Sequence, residues 1–236
     1  NAFRLVHGEG DDLPGLIVDI YDDVLVMQAH SIGMYLALPE IAKAAEKVLG
    51  NRISAIYDKS KDCLPAQFAY PLQNRWLLGE KEQVSIVENN IRFHIDVVKG
   101  QKTGFFLDQR DNRSLLGTYS KGKSVLNTFC YSGGFSLAAL QVGATQVDSV
   151  DVSSNAMQLL EDNLLLNEYS AENHTSYTDD VMKFLRKEEV PQYDIVVLDP
   201  PAFAKSMSKR HNAVQGYKRL NVLGLEKVKP GGLLFT

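Results

Sequence analysis

The stretch SVLNTFCYSGGFSLAALQ (residues 124–141) decides the fold. SVLNTF (124–129) is a short apolar run that predicts a strand, and residues 134–141 predict a helix. Between them lie Gly133 and Gly134, side by side. A strand that runs through a glycine loop into a helix is where many α/β enzymes hold a nucleotide. A dinucleotide fingerprint, however, spaces its glycines as G-x-G-x-x-G so that a pyrophosphate meets bare backbone. Adjacent glycines make a poor pyrophosphate cradle. They suit a ligand without phosphates, whose ribose or amino-acid portion lies close to the main chain. A tight strand-to-helix turn with nothing bound is the structural alternative.

Outward from this loop the pattern alternates. QVDSVDV (146–152) predicts a strand, and residues 154–167 a helix with Ser153 or Ser154 as its cap. HTSYT (174–178) leads to a helix over 180–187, YDIVVLD (193–199) to a helix over 213–227, and GLLFT (232–236) closes the series. Such alternation predicts a parallel sheet, which binds ligands beyond the carboxyl ends of its strands. Asn127, Asp151, Asp179, Asp180 and Asp199 collect at those ends. Asp151 follows the glycines by about twenty residues, where an acid accepts hydrogen bonds from ribose hydroxyls. Asp179 and Asp180 stand where an acid could accept the exocyclic amino group of an adenine. Helix capping is the alternative for all three. In LDPPAFAK (198–205), two prolines fix an extended backbone and remove two N–H donors, leaving a rigid shelf of carbonyls.

The front of the chain reads differently. Residues 16–29 predict two apolar strands around an Asp22–Asp23 turn, and residues 36–49 a helix with Pro39 in its first turn. ISAIYD (53–58) predicts a further strand. QVSIVENNIRFHIDVV (83–98) alternates on both sides of Asn89–Asn90, a hairpin signal. The expected organisation is a small α+β domain over 1–100 and an α/β domain over 101–236.

The 236 residues carry a net charge of −4, so any nucleic-acid surface has to be a local patch. KSMSKRHNAVQGYKRL (205–220) supplies one: Lys205, Lys209, Arg210, His211, Lys218 and Arg219 with Tyr217, suited to single-stranded RNA. A solvated helix face is the alternative. Cys63 and Cys130, the two cysteines, show no disulfide framework and no metal-ligand spacing, and no metal is expected. The composition points to a reducing, cytoplasmic setting without membrane or signal segments. Both ends look cut, and the sheet is expected to lack its C-terminal strands, because KPGGLLFT (229–236) reads as a strand just begun.

Taken together, GQKTGFFLDQRDNR (100–113), VLNTFCYSGGFSLAAL (125–140), SVDVS (149–153), YTDDVMKFL (177–185) and VVLDPPAFAKS (196–206) resemble class I S-adenosylmethionine-dependent methyltransferases. They look most like the family that methylates cytosine at position five in large-subunit ribosomal RNA, whose members commonly begin with a PUA domain that is absent here. The resemblance implies a Rossmann-like sheet, S-adenosyl-L-methionine as cofactor, and a single-stranded or unfolded segment of ribosomal RNA as partner. It leaves the oligomeric state open, a homodimer among the possibilities. It also implies a lid-like segment from Lys102 through Thr103 to Arg110, with Phe105, Gln109 and Arg110 nearest the cofactor. Asn127, Tyr131 and Gly133 would surround the methionine portion, Asp151 the ribose and Asp180 the adenine. Asp199, the expected catalytic side chain, and Pro200 would border the sulfonium methyl and the target base. The bottom-up alternative for residues 102–113 is a turn at Gly104 followed by an amphipathic helix.

Cytosine-5 chemistry requires a thiolate that adds to the ring. Some RNA cytosine methyltransferases place that cysteine directly after the proline of the fourth-strand motif, where this chain has Pro201. In the resembling family the nucleophile follows the fifth strand, so the catalytic cysteine is expected beyond Thr236. Cys130 is read as packing. The rival readings are methylation of an exocyclic amine or a guanine ring nitrogen, a nicotinamide-dependent oxidoreductase, and a noncatalytic RNA-binding module.

Overall fold

The computed structural model describes residues 1–203 and 210–236; Lys205 and Lys209 lie outside the described residues. The chain forms two compact units, Asn1–Arg110 and Asp111–Thr236.

The first unit holds β1 (Ala2–His7), β2 (Leu16–Tyr21), β3 (Val24–Ala29), α1 (Ile32–Leu49), β4 (Ala55–Asp58), α2 (Ala66–Ala69), β5 (Arg75–Leu78), β6 (Gln83–Glu88) and β7 (Ile91–Asp96). Its main sheet runs β1-β2-β3-β4-β5, and β6 and β7 form a separate pair. Asn89 and Asn90 both adopt left-handed backbone (φ 51° and 66°), as a two-residue hairpin turn that matches strand twist requires. Helix α1 starts at Ile32 rather than at residue 36, because Ser31 caps it: its Oγ accepts the Met34 N–H at 3.2 Å. Pro39 therefore lies inside the helix and not in its first turn.

One buried network ties the segment after β7 to β2. Asp19, fully buried, accepts from Arg4 Nε (2.8 Å) and Nη2 (3.0 Å) and from Thr103 Oγ1 (2.6 Å). The Tyr21 hydroxyl lies 2.7 Å from Thr103 Oγ1 and accepts the Phe105 N–H at 3.1 Å. Nearby, the Lys59 ammonium donates to the carbonyls of Val97 and Gly100, and burial lowers its pKa to about 8.

The second unit holds α3 (Arg110–Ser120, begun on the last residue of the first unit), β8 (Ser124–Thr128), α4 (Gly134–Gln141), β9 (Gln146–Asp151), α5 (Ser154–Leu166), β10 (His174–Thr178), α6 (Val181–Phe184), β11 (Tyr193–Leu198), α7 (Arg210–Glu226) and β12 (Val228–Phe235). All pairings in its sheet are parallel, in the order β10-β9-β8-β11-β12. This is the Rossmann-like α/β arrangement expected from the alternation. From β8 the chain first steps outward to β9 and β10, then returns to β11 on the other side. The order reverses at β8 and β11, the kind of switch point at which open α/β sheets bind ligands beyond the strand ends.

Leu126, Val150, Val196 and Leu198 of the strands pack with Val181, Phe184 and Leu220 of the helices in one buried cluster. Three boundaries differ from expectation. α6 is one turn and does not reach residue 187; Lys187 instead folds back to pair with Asp179 at 2.8 Å. α7 begins by Arg210, earlier than 213, and β12 begins at Val228, with a register irregularity against β11 between Tyr193 and Ile195. Among the described residues no helix is long and apolar enough to cross a membrane.

Candidate functional site

The loop between β8 and α4 is held in an unusual backbone shape. Phe129, Tyr131 and Gly133 have φ of 54°, 46° and 81°. L-residues seldom adopt this region, so the surroundings must over-determine it. Asp151, at the end of β9, does so: its Oδ2 accepts the Tyr131 N–H at 3.0 Å and its Oδ1 the Ser153 N–H at 2.9 Å. One carboxylate thus fixes both the glycine loop and the entry to α5, whose cap is Ser153. The main chain adds Cys130 N–H to Val150 O (3.2 Å) and Asp179 N–H to Asp151 O (3.0 Å). The ends of β8, β9 and β10 are therefore cross-tied beyond the sheet ladder.

The glycines serve packing as well as conformation. A Cβ on Gly133 would overlap Leu160 of α5 and crowd Leu137, and one on Gly134 would lie 2.9 Å from Arg113 Cδ. The room these two residues leave is filled by the protein itself. A ligand at this loop meets backbone amides and the neighbouring side chains, not a hollow left by missing Cβ atoms.

Asn127 sits at the carboxyl end of β8 and is about 1% exposed. Its Nδ2 donates to Ser136 Oγ at 2.8 Å, while its Oδ1 is buried without a hydrogen-bond partner. A buried carbonyl left unpaired costs about 1–3 kcal/mol. An acceptor so placed would be satisfied by an N–H or ammonium donor brought to it.

Cys130 is buried; its Sγ lies 3.6 Å from Met157 Sδ, and burial, then the nearby Asp151 carboxylate, push its pKa well above the ordinary thiol value. A thiol held protonated is neither a nucleophile nor a ready target for alkylation. In the native protein, thiol-labelling reagents are expected to modify the half-buried Cys63 and to reach Cys130 only on unfolding. Mass spectrometry of labelled peptides reads this directly, and prior labelling at Cys130 would place its thiol at the surface.

Asp180 is exposed and caps α6, its Oδ1 accepting the Lys183 N–H at 2.9 Å. Asp179 accepts the Asp180 N–H at 2.7 Å, and its pKa is lowered first by the bond from Lys187. Asp180 therefore does the capping work offered as its alternative reading, while Asp179 pairs with Lys187. Beside α6 lies a cavity of about 310 Å³ lined by Met182, Phe203, Asn212, Ala213 and Gly216. Phe203 rests on Tyr217 (centroids 4.4 Å apart) and on Gly216, where a Cβ would come within 2.9 Å of the ring. Sequence reading missed this cavity, because its walls are far apart in the chain; the apolar spacing of Ala213 and Gly216 on α7 was its one trace. Asp199 is exposed at the end of β11, followed by half-buried Pro200.

The segment Lys102 to Arg110 belongs to the first unit. Thr103 and Phe105 are buried there, Phe105 against Phe93 at 5.0 Å. Lys102 lies over the Phe106 ring at 4.5 Å, and Gln109 sits in a short helical turn before α3. Arg110 donates to Glu88 Oε2 (3.1 Å) and to Ala2 O (2.5 Å). Tyr131 and Asp151 are thus bonded to each other, with Asp180 joined through Asp179, whereas the Asn127 side chain bonds to Ser136 and the Gly133 N–H to the Cys130 carbonyl. Among the described residues no group of three His, Cys, Asp or Glu could hold a metal ion.

Residues 3–236 match the family described as S-adenosylmethionine-dependent methyltransferase. The chain is 40% identical to ribosomal RNA large subunit methyltransferase I of Shewanella frigidimarina and 41% identical to that of Shewanella denitrificans. Both alignments cover 100% of this chain and 60% of the relative, so the chain spans under two thirds of the curated relatives' length. Among solved structures it is similar to a Streptococcus mutans chain described as a SAM-dependent methyltransferase, with a TM-score of 0.84 and 30% identity over 99% of this chain and 59% of that one. It is also similar to SMU.776, described as a methyltransferase and complexed with SAH (TM-score 0.81, 29% identity, 99% of this chain and 60% of that one).

Proposed function

The chain belongs to the S-adenosylmethionine-dependent methyltransferases, and from that premise we propose that it takes part in methylating large-subunit ribosomal RNA in the cytoplasm, with 5-methylcytosine as product. The observation that carries the cofactor site is the partnerless Asn127 Oδ1 beside a loop braced by Asp151. The curated relatives, named as ribosomal RNA large subunit methyltransferases, support the substrate class.

When bound, the cofactor supplies an electrophilic methyl group on a sulfonium sulfur. Asn127 Oδ1 would accept a hydrogen bond from its amino-acid portion. Asp151 holds two backbone amides, yet a carboxylate has about four acceptor sites, which leaves capacity for ribose hydroxyls. The cavity beside α6 would take the adenine ring, with the carboxylate of Asp180, the cap of that helix, as acceptor for its amino group. Asp199 and Pro200 would border the methyl and the target base. Arg210, His211, Lys218 and Arg219 would meet the RNA backbone. Transfer of this kind rests mainly on positioning the reactants.

Cytosine-5 methylation also requires a thiolate. Cys130 is buried with its pKa pushed well up, and burial also raises the pKa of Cys63. The position-five reading therefore calls for a thiol from outside these 236 residues. The lack of a reactive thiol favours, as a second reading, transfer to an exocyclic amine or guanine ring nitrogen, which needs none.

Calorimetry with S-adenosylmethionine and with NAD tests the cofactor: the first is expected to bind, and binding of NAD alone would sink the proposal. The product test uses the full-length protein on unmodified large-subunit ribosomal RNA, with nucleosides analysed by mass spectrometry. 5-Methylcytidine supports the first reading, and a methylated purine or amine moves the assignment to the second.

A further inference from the structure

The second unit contains a continuous buried chain of polar side chains of which the proposed reaction uses only the first, Asn127. From Asn127 Nδ2 it passes to Ser136 Oγ on α4 (2.8 Å), to Ser149 Oγ on β9 (2.7 Å), and to His174 Nε2 on β10 (2.8 Å). All four residues are buried, Ser136 and Ser149 fully. Each serine has one proton to give. If Nε2 of His174 is an unprotonated acceptor, Ser149 must donate to it, Ser136 to Ser149 and Asn127 to Ser136. That is the direction in which Asn127 Nδ2 donates to Ser136 Oγ, with both serine protons used inside the chain.

The opposite polarity is also self-consistent. If Nε2 carried a proton it would donate to Ser149, leaving Ser149 free to donate to Ser136 and Ser136 to Asn127. The carboxamide would then turn its oxygen to Ser136 and leave its N–H₂ as the unpaired end. The two polarities present opposite groups at the end of β8, an acceptor in one case and a donor in the other.

We propose that His174 is a positioning residue: acting through Ser149 and Ser136, it fixes the Asn127 carboxamide so that a carbonyl is presented, selecting a ligand that brings an N–H or ammonium donor. Desolvation lowers the pKa of His174 against the opposing pull of Glu161 on α5 and Asp148 on β9, consistent with a neutral ring. The assignment of the ligand rests on the cofactor reading above; the polarity of the chain does not.

Nitrogen-15 NMR of the imidazole tests the polarity without any ligand. The wild-type spectrum is expected to show His174 neutral with its proton on Nδ1, and a protonated Nε2 would overturn the proposal. The variant Asn127→Asp replaces the donor at the head of the chain by a carboxylate, so every hydrogen bond must reverse and Nε2 of His174 must acquire a proton. An unchanged tautomer in a folded N127D protein would also overturn it. Adding Ser149→Ala to that variant should abolish the tautomer change, which a purely structural role for His174 would not foresee. His174→Phe is expected to weaken S-adenosylmethionine binding on the order of tenfold, the net worth of one oriented hydrogen bond. Unchanged affinity in H174F, with wild type binding normally, would remove the ligand assignment. If wild type binds no S-adenosylmethionine, the cofactor reading fails while the NMR result still decides the polarity.

Discussion

Replacing Gly133 by alanine is expected to destabilise the second unit by about 2–5 kcal/mol, read as a lowered denaturation midpoint in urea. Two costs add. The residue holds φ at 81°, which an L-residue adopts at roughly 1–2 kcal/mol. A new Cβ would also overlap Leu160 of a fully packed α5, and overpacking of this kind costs about 1–3 kcal/mol. Gly143→Ala separates the two terms: its φ is 88°, but a Cβ there meets nothing within 4 Å. G143A should therefore lose only the conformational part. Equal losses in both variants would mean that the Leu160 contact relaxes freely.

The second large effect falls on binding. Asp151→Ala is expected to weaken S-adenosylmethionine affinity by roughly 100-fold, since charge-assisted hydrogen bonds contribute about 1.5–3 kcal/mol each. The loss has a direct part, the acceptor for the ligand, and an indirect part. Without the carboxylate, the Tyr131 and Ser153 amides lose their partner, and the left-handed loop loses the clamp that over-determines it. Asp151→Asn keeps one acceptor oxygen and should fall between the two. Calorimetry at fixed pH measures both variants, and an unchanged Kd in D151A would remove the residue from the site.

The parallel sheet was legible because β8 and β11 are short, mainly apolar runs and α5 and α6 carry side-chain caps. Ser153 and Asp180 illustrate this, one at α5 and one at α6. The hairpin of β6 and β7 was equally plain, because Asn89–Asn90 tolerates the backbone its turn demands. β1 was not legible: of its six residues only Ala2 is buried, while Phe3 and Leu5 are exposed, so no alternating pattern marks it. α1 was placed too late because Pro39 looked like a helix start, whereas Ser31 is the cap that the fold uses.

In the site, Asp151 was legible from its distance to the glycines, although its bonds to the loop amides were not. The partners of Asn127 were invisible for a physical reason. Ser136, Ser149 and His174 come together through sheet register, with Asn127 opposite Ser149 and His174 one strand further, and register carries no local sequence mark. The cavity walls at Met182, Phe203 and Gly216 likewise meet only through the packing of α6 and α7 against the strand ends.

The backbone ties from Cys130 to Val150 and from Asp179 to Asp151 bear on kinetics. A loop that must order itself around an incoming molecule pays its conformational entropy at the moment of capture, which slows association and weakens affinity. Here that ordering is complete before any encounter, and it is built into folding instead. Capture at the ends of β8, β9 and β10 then resembles docking onto a finished surface, so the arrival rate depends on access and collision rather than on loop rearrangement.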